Sequence, residues 1–307
     1  MIFMDVMQNS IHSKFILTPI IGILKDTVNA CAGIGNGIET QSLGEYVLQT
    51  TFLKMTGASE QKLKCICWEM ATNDYDYRYK YLKKNYGECS SYADKCSIYK
   101  DIIVMIEKKD PKFRASHLFD DIDISSKEDE LIDQKIKETR KLQEKKKNKK
   151  LTESEFEKLS KGMKAHYAKK GLCKKEKNHF SRVVLFESVL DKLSETIGNT
   201  LVAQWEQHGY NNYILNWKTL SGWIFAEGDN LMEKELQDFY NDVVYAHRNR
   251  CAHNLVSFQS NLPTLKTLED EKYVFSNYYF RFSVLILLDE IFVRLYKAYQ
   301  EALEKVI

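Results

Sequence analysis

Apolar positions along this chain recur at spacings of three and four residues, the period of a helix with one buried face. Leu63, Ile66, Cys67 and Met70 form one such stripe. Val184, Leu185, Val189, Leu190 and Leu193 form another, continued by Leu201, Val202 and Trp205. The pattern predicts helices over 43–55 and 59–70 separated at Thr56-Gly57, and a buried piece from Ile102 to Ile106 that Asp110-Pro111 ends. His208-Gly209 is a stop signal, and 215–225 is a short amphipathic piece ended by Gly228. Residues 231–253 read as one long helix with Leu236, Phe239, Tyr240, Val243 and Val244 towards the core, followed by a loop over 257–263. Residues 273–302 are apolar on nearly every side, which puts that helix at the centre of a bundle. No run of alternating strands with turn signals interrupts this, so the expected fold class is all-α.

The middle of the chain departs from the pattern. Residues 119–126 are acidic and read as loop, and the chain then stays polar through Lys150. Ser125 with Glu128 and Thr152 with Glu155 have the spacing of capping boxes, and Gly171 is placed to close the helix that Thr152 opens. The run Lys145-Lys146-Lys147-Asn148-Lys149-Lys150 is too charged to bury. The expected organisation is an N-terminal helical region over 1–120, a charged, Lys-rich arm or insert over 121–179 that is partly helical and mobile, and a C-terminal helical bundle over 180–307.

Composition agrees with helices: only 3 Pro and 13 Gly occur in 307 residues, so breakers are few. The net charge of +2 hides an uneven distribution. Residues 135–177 hold 17 Lys/Arg against 6 Asp/Glu, a surplus of 11, which leaves a net −9 for the rest. A basic insert on an acidic body suits a polyanionic partner, and five of its lysines (Lys145, Lys146, Lys147, Lys149 and Lys150) are candidate RNA-binding residues.

Other classes are disfavoured. The 7 cysteines lack zinc-ligand spacing with histidines and read as free thiols of a reducing, cytoplasmic compartment. No cationic stretch precedes the apolar segment 15–24, so it does not read as a signal peptide. The apolar run 284–288 is closed by Asp289-Glu290 and is too short for a bilayer, so no membrane partner is expected. Gly33-Ile34-Gly35-Asn36-Gly37 lacks the Gly-Lys-Ser/Thr ending of a phosphate loop. No metal set or other cofactor is expected. Tyr75, Tyr77, Tyr79, Tyr81 and Tyr86 lie among basic residues where they would stack on bases, though an amphipathic, half-buried surface is the better reading.

The most chemically informative stretch is Arg248-Asn249-Arg250-Cys251-Ala252-His253-Asn254, at the end of a predicted helix. Arginine offers a planar fork of donors to a phosphodiester, histidine exchanges a proton near neutral pH, and asparagine orients either. Asn249 and His253 are four residues apart and share a helical face, whereas Arg248 lies about 140° round the helix from His253. A second copy of the helix across a two-fold axis would complete such a site. The chemistry expected of such a site is attack of a ribose 2′-hydroxyl on the adjacent phosphate, which needs no metal and would not act on DNA. Arg250 is a candidate extra phosphate contact, His247 a surface or dimer-face residue, and Cys251 a small buried thiol.

Arg248, Asn249 and His253 match the signature of the HEPN ribonuclease superfamily, which this chain resembles most in its abortive-infection and toxin-like members. The resemblance implies a HEPN-like helical bundle, a homodimer with a composite active site, metal-independent endoribonuclease activity with Arg248, Asn249 and His253 as catalytic residues, and a role in antiphage defence with an antitoxin or defence-system partner. Residues 52–64 are similar to the first-helix pattern of such proteins, which would split the core around the basic arm and let Glu60 orient Arg248 or His253. Asn254-Leu255 follows His253, so the tyrosine found two places after that histidine in one toxin subfamily is missing, and no arginine lies shortly downstream. The subfamily therefore stays open. Two other readings stand beside this one. A non-catalytic helical RNA-binding or scaffolding protein would keep the motif for dimerisation, and a DNA-cutting enzyme would need a carboxylate cluster that the sequence does not offer.

Overall fold

A computed structural model describes residues 10–35, 37–83, 88–198, 200–203, 230–232, 234–253 and 277–305. The pieces read over 208–209, 215–228 and 257–263 lie outside the described residues. Every regular element among the described residues is helical, and none is a strand. Among them no helix is long and apolar enough to cross a membrane. The chain forms two compact units, Met1–Leu118 with Phe186–Ile307, and Phe119–Leu185.

The first unit opens with α1 (Ile11–Leu17) and α2 (Ile21–Ala30), the former started by the Ser10 hydroxyl accepting from the Ser13 N–H. Next comes α3, a single 33-residue helix, Gln41–Asn73. The break expected at Thr56-Gly57 is absent. The Thr56 hydroxyl donates back to the Leu53 carbonyl at 3.0 Å, a bond made inside the helix. An interior glycine costs about 1 kcal/mol, and the buried series Phe52, Met55, Leu63, Ile66, Cys67 and Met70 runs past it on both sides and outweighs that cost.

At Asp74 the chain turns, with Asp74 Oδ1 accepting from the Tyr77 N–H, and α4 (Tyr75–Lys83) follows. Helix α5 (Tyr92–Lys109) is capped by Ser91 and ends at Asp110 as expected, but starts ten residues before Ile102.

The last helix, Tyr278–Glu304, is capped by the Asn277 side chain on the Phe280 N–H and lies against α1, α3 and α5. Phe282, Leu287, Leu288, Leu295 and Tyr299 on it are fully buried, and so is Ser283, so it occupies the centre of the unit. It also holds a buried ion pair. Lys62 Nζ donates to Asp289 Oδ1 at 2.5 Å, while Asp289 Oδ2 accepts from the Ile20 N–H at 2.9 Å. Burial lowers the lysine pKa and raises that of the aspartate, and each opposes the shift of the other.

The second unit is built on helices α6 (Glu128–Lys147) and α7 (Glu153–Lys170), which pack together, with the beginning of α8 (Lys174–Ile197). Thr152 and Glu155 form the expected capping box, and Gly171 ends α7 at φ +65°. Ser125 makes no such box. Its hydroxyl and N–H both go to Asp123 Oδ1, and α6 instead follows a 3-10 turn over Ser125–Lys127. The lysine run extends α6 to Lys147, where Asn148 takes φ +50° and the Lys149 N–H reaches back to the Glu144 carbonyl. This polar stretch folds into packed helices because a few apolar residues suffice for a core: Leu131, Ile132, Ile136, Leu151, Tyr167, Leu172, Phe180 and Val183 are all buried.

In the first unit, the long helix expected over 231–253 is three segments. They are α9 (Lys234–Phe239), a π-helical segment (Tyr240–Tyr245) and α10 (Ala246–His253), which make the Tyr278–Glu304 helix α11. The Ala246 N–H bonds to the Asn241 carbonyl, five residues back. Within this turn the Val243 carbonyl accepts from the Arg281 side chain at 3.4 Å, an outside donor of the kind that loosens the regular ladder.

Candidate active site around Arg248

Helices α3 and α10 lie side by side. Phe52 on α3 packs its ring on His247, and Glu60, two turns further, meets Arg248. Arg248 Nε donates to Glu60 Oε1 at 3.2 Å and Nη2 donates to Oε2 at 3.1 Å, a two-point pairing. Its Nη1 donates to Asn249 Oδ1 at 3.2 Å. Three of the five guanidinium N–H groups are thus engaged. The side chains are 21% and 12% exposed for Arg248 and Glu60, so the pair sits at the edge of the core with one side towards solvent.

Thr56, Ser59, Ser90, Lys95, Tyr240, Val244, Tyr245 and Leu285 complete the lining, and the space between them is too small for a water molecule. Behind the pair stands Lys95, 1% exposed. Its Nζ donates to the Cys89 carbonyl at 2.6 Å, with the Ser90 carbonyl at 3.5 Å, and lies 5.5 Å from the Tyr240 ring centre. The Tyr240 hydroxyl donates to the same Ser90 carbonyl at 2.9 Å. Burial pushes the Lys95 ammonium down to about 8, against the pull of Glu60, and pushes the Tyr240 phenol up.

The remaining candidates fall in different surroundings. Asn249 is half-buried and Arg250 exposed on α10, while His253 closes that helix and its side chain lies outside the described residues. Lys146, Lys147, Lys149 and Lys150 are exposed in the other unit, and the side chain of Lys145 is outside the described residues. Tyr75 and Tyr79 are exposed, whereas Tyr77 is buried with Tyr81 stacked on it at 6.0 Å. Tyr86 is outside the described residues.

His247 is half-buried. Its ring packs 5.1 Å from Phe52 and 5.3 Å from Tyr278, and Nε2 lies 3.2 Å from the Tyr278 hydroxyl. That hydroxyl donates its single proton to Glu45 Oε1 at 3.2 Å, so the proton in the contact with His247 belongs to Nε2. Cys251 is buried as expected, with Sγ 3.4 Å from the same nitrogen. Desolvation, with help from Arg281 and Arg250, drives the imidazole down to about 2, and burial raises the Cys251 thiol. The two are a packed, neutral contact and not a nucleophile with its base.

Sequence reasoning missed Lys95 and Tyr240 at this site. The signal was present: Lys95 falls on the stripe Tyr92, Tyr99, Ile102 and Ile106 that α5 buries, where a lysine is out of place. Among the described residues no group of three or more His, Cys, Asp or Glu is arranged to hold a metal ion. No protein-family model, curated protein or solved structure matches this chain.

Proposed function

We propose that this chain is a HEPN-type endoribonuclease that cuts RNA without a metal, as a homodimer with a composite site, in antiphage defence or as a toxin. The observation that carries the reading is the arginine of an Arg-Asn-x-x-x-His motif held by a carboxylate through two hydrogen bonds and by the adjacent amide through a third. A guanidinium held in this way is kept at the site before substrate arrives, where it can exchange the carboxylate for a phosphate on which charge develops.

In the reaction, the ribose O2′ bonds to the adjacent phosphorus and the P–O5′ bond breaks, leaving a 2′,3′-cyclic phosphate and a 5′-hydroxyl. His253 takes the O2′ proton or, in the composite site, delivers one to the departing O5′. Arg248 stabilises the negative charge on the phosphoryl oxygens, Asn249 orients Arg248, and Glu60 positions it. A second copy of α10 across a two-fold axis would supply the other imidazole. The exposed lysines of α6 and the turn after it would hold the RNA backbone.

One observation favours the rival reading, a non-catalytic RNA-binding or scaffolding protein. Glu60 pairs with Arg248 through two bonds beside a space too small for water, as a purely structural ion pair would. The two readings part on turnover. Purified protein incubated with RNA in EDTA should give cyclic-phosphate ends, and His253→Ala and Arg248→Ala should each slow cleavage by about a hundredfold or more. Salt-sensitive binding without cleavage, or equal cleavage by wild type and His253→Ala, overturns the nuclease.

A further inference from the structure

Lys95 is the one charged group at this site to which the proposed reaction gives no task. It is buried, so it cannot itself reach RNA, yet it stands on the inner side of the Glu60–Arg248 pair and lines the same small space. Arg248 uses Nε and Nη2 on Glu60, the edge with which an arginine grips a phosphate through two bonds. To take a phosphate that way it must let Glu60 go. A carboxylate left alone at 12% exposure is costly, so the guanidinium would stay locked unless another cation balances Glu60.

We propose that Lys95 is a positioning residue for Arg248: its buried ammonium balances Glu60 and so frees the guanidinium to exchange that carboxylate for an RNA phosphate. This rests on the reading of Arg248 as a phosphate-binding group. Lys95 suits the task because it is already fixed by the Cys89 and Ser90 carbonyls and the Tyr240 ring, and needs no movement of its own. The charged and titratable groups around it are Glu60 from α3, Arg248 from α10, Tyr240 from the π-helical segment, Cys89 in the preceding turn and Asp94 on α5 itself. Helix α11 brings only Leu285 to this lining. Glu60, Cys89 and Asp94 favour the charged lysine, while burial and Arg248 oppose it.

The sign is testable. Below about pH 8 Lys95 is charged and Arg248 is free to exchange; above that value Lys95 is neutral and the balancing of Glu60 falls more heavily on Arg248. The test uses the full chain and a single-stranded RNA carrying 2′-O-methyl riboses, which binds but cannot react, with affinity read by fluorescence anisotropy across pH. Wild-type affinity should fall by up to about tenfold per pH unit above pH 8. Lys95→Arg, which keeps its charge, should bind as wild type at pH 7 and lose this alkaline fall. Lys95→Met should bind weakly throughout, and should have no further effect in a Glu60→Gln background, where no carboxylate needs balancing. An alkaline fall in Lys95→Arg equal to that of wild type overturns the proposal even if Lys95→Met fails to fold. So does an unchanged effect of Lys95→Met in Glu60→Gln. If binding behaves as expected while unmodified RNA stays intact, the nuclease reading fails and the role of Lys95 stands.

Discussion

Acidification should destabilise this protein through His247, whose pKa is driven far below its ordinary value. An ordinary histidine takes up a proton near pH 6.5, but in the folded chain His247 is driven down to about 2 by burial and by Arg281 and Arg250. Its folded pKa is depressed, so between those values the unfolded chain binds a proton that the folded chain refuses. Stability is therefore present in full above pH 6.5 and is lost as pH falls, by about 1.4 kcal/mol per pH unit, or about 2 kcal/mol at pH 5. His247→Gln removes the titrating group and keeps an N–H for the Tyr278 oxygen. At pH 8 the variant should be the weaker protein by about 1–2 kcal/mol, having lost the ring packing on Phe52 and Tyr278. On moving to pH 5 it should gain about 2 kcal/mol relative to wild type, so the two converge or cross. Urea denaturation followed by circular dichroism at both pH values measures this. Parallel pH dependence in the two proteins would refute the neutral, packed imidazole.

Other substitutions probe separate parts of the argument. Asp289→Asn leaves the Lys62 ammonium buried without its counter-charge and should cost about 3–5 kcal/mol in chemical denaturation, much of it recovered by adding Lys62→Met. Thr152→Ala removes the acceptor at the start of α7 and should cost the second unit about 1 kcal/mol, seen as a lower unfolding midpoint. Replacing Lys146, Lys147, Lys149 and Lys150 with glutamine should flatten the salt dependence of RNA binding, reducing the log–log slope by up to about 3. An unchanged slope would remove those lysines from the proposed interface.

Local signals carried most of the helices. The stripe through Leu63 and Met70, the Thr152–Glu155 box and the glycine at 171 each depend on neighbours within a turn or so, and each stands in the structure as the sequence implies. What the sequence hid depends on distant partners. Thr56-Gly57 looked like a break because its propensity is poor, and packing on both sides of it overrode that. His247 looked like surface because it is polar and flanked by arginine, whereas Phe52 and Tyr278 come from far along the chain to pack on its ring and half-bury it. The Lys62–Asp289 pair spans 227 residues, and neither partner betrays the other in sequence. The Arg248–Glu60 pairing spans 188 residues and had no local signal; only the resemblance of residues 52–64 to a first-helix pattern singled out that glutamate.

The five-residue hydrogen bond from Ala246 to Asn241 has a consequence for how this chain tolerates change in length. A wide turn accommodates one more residue than a regular helix over nearly the same rise, and so leaves the aim of the flanking segments almost untouched. Removing a single residue between 240 and 245 should tighten the turn to ordinary α geometry and still deliver Arg248 to Glu60. The same deletion inside α3 would swing everything beyond it by about 100°. The tolerance for such a deletion is thus concentrated in the few residues just ahead of the motif, where a lineage could gain or shed one amino acid without re-aiming its arginine.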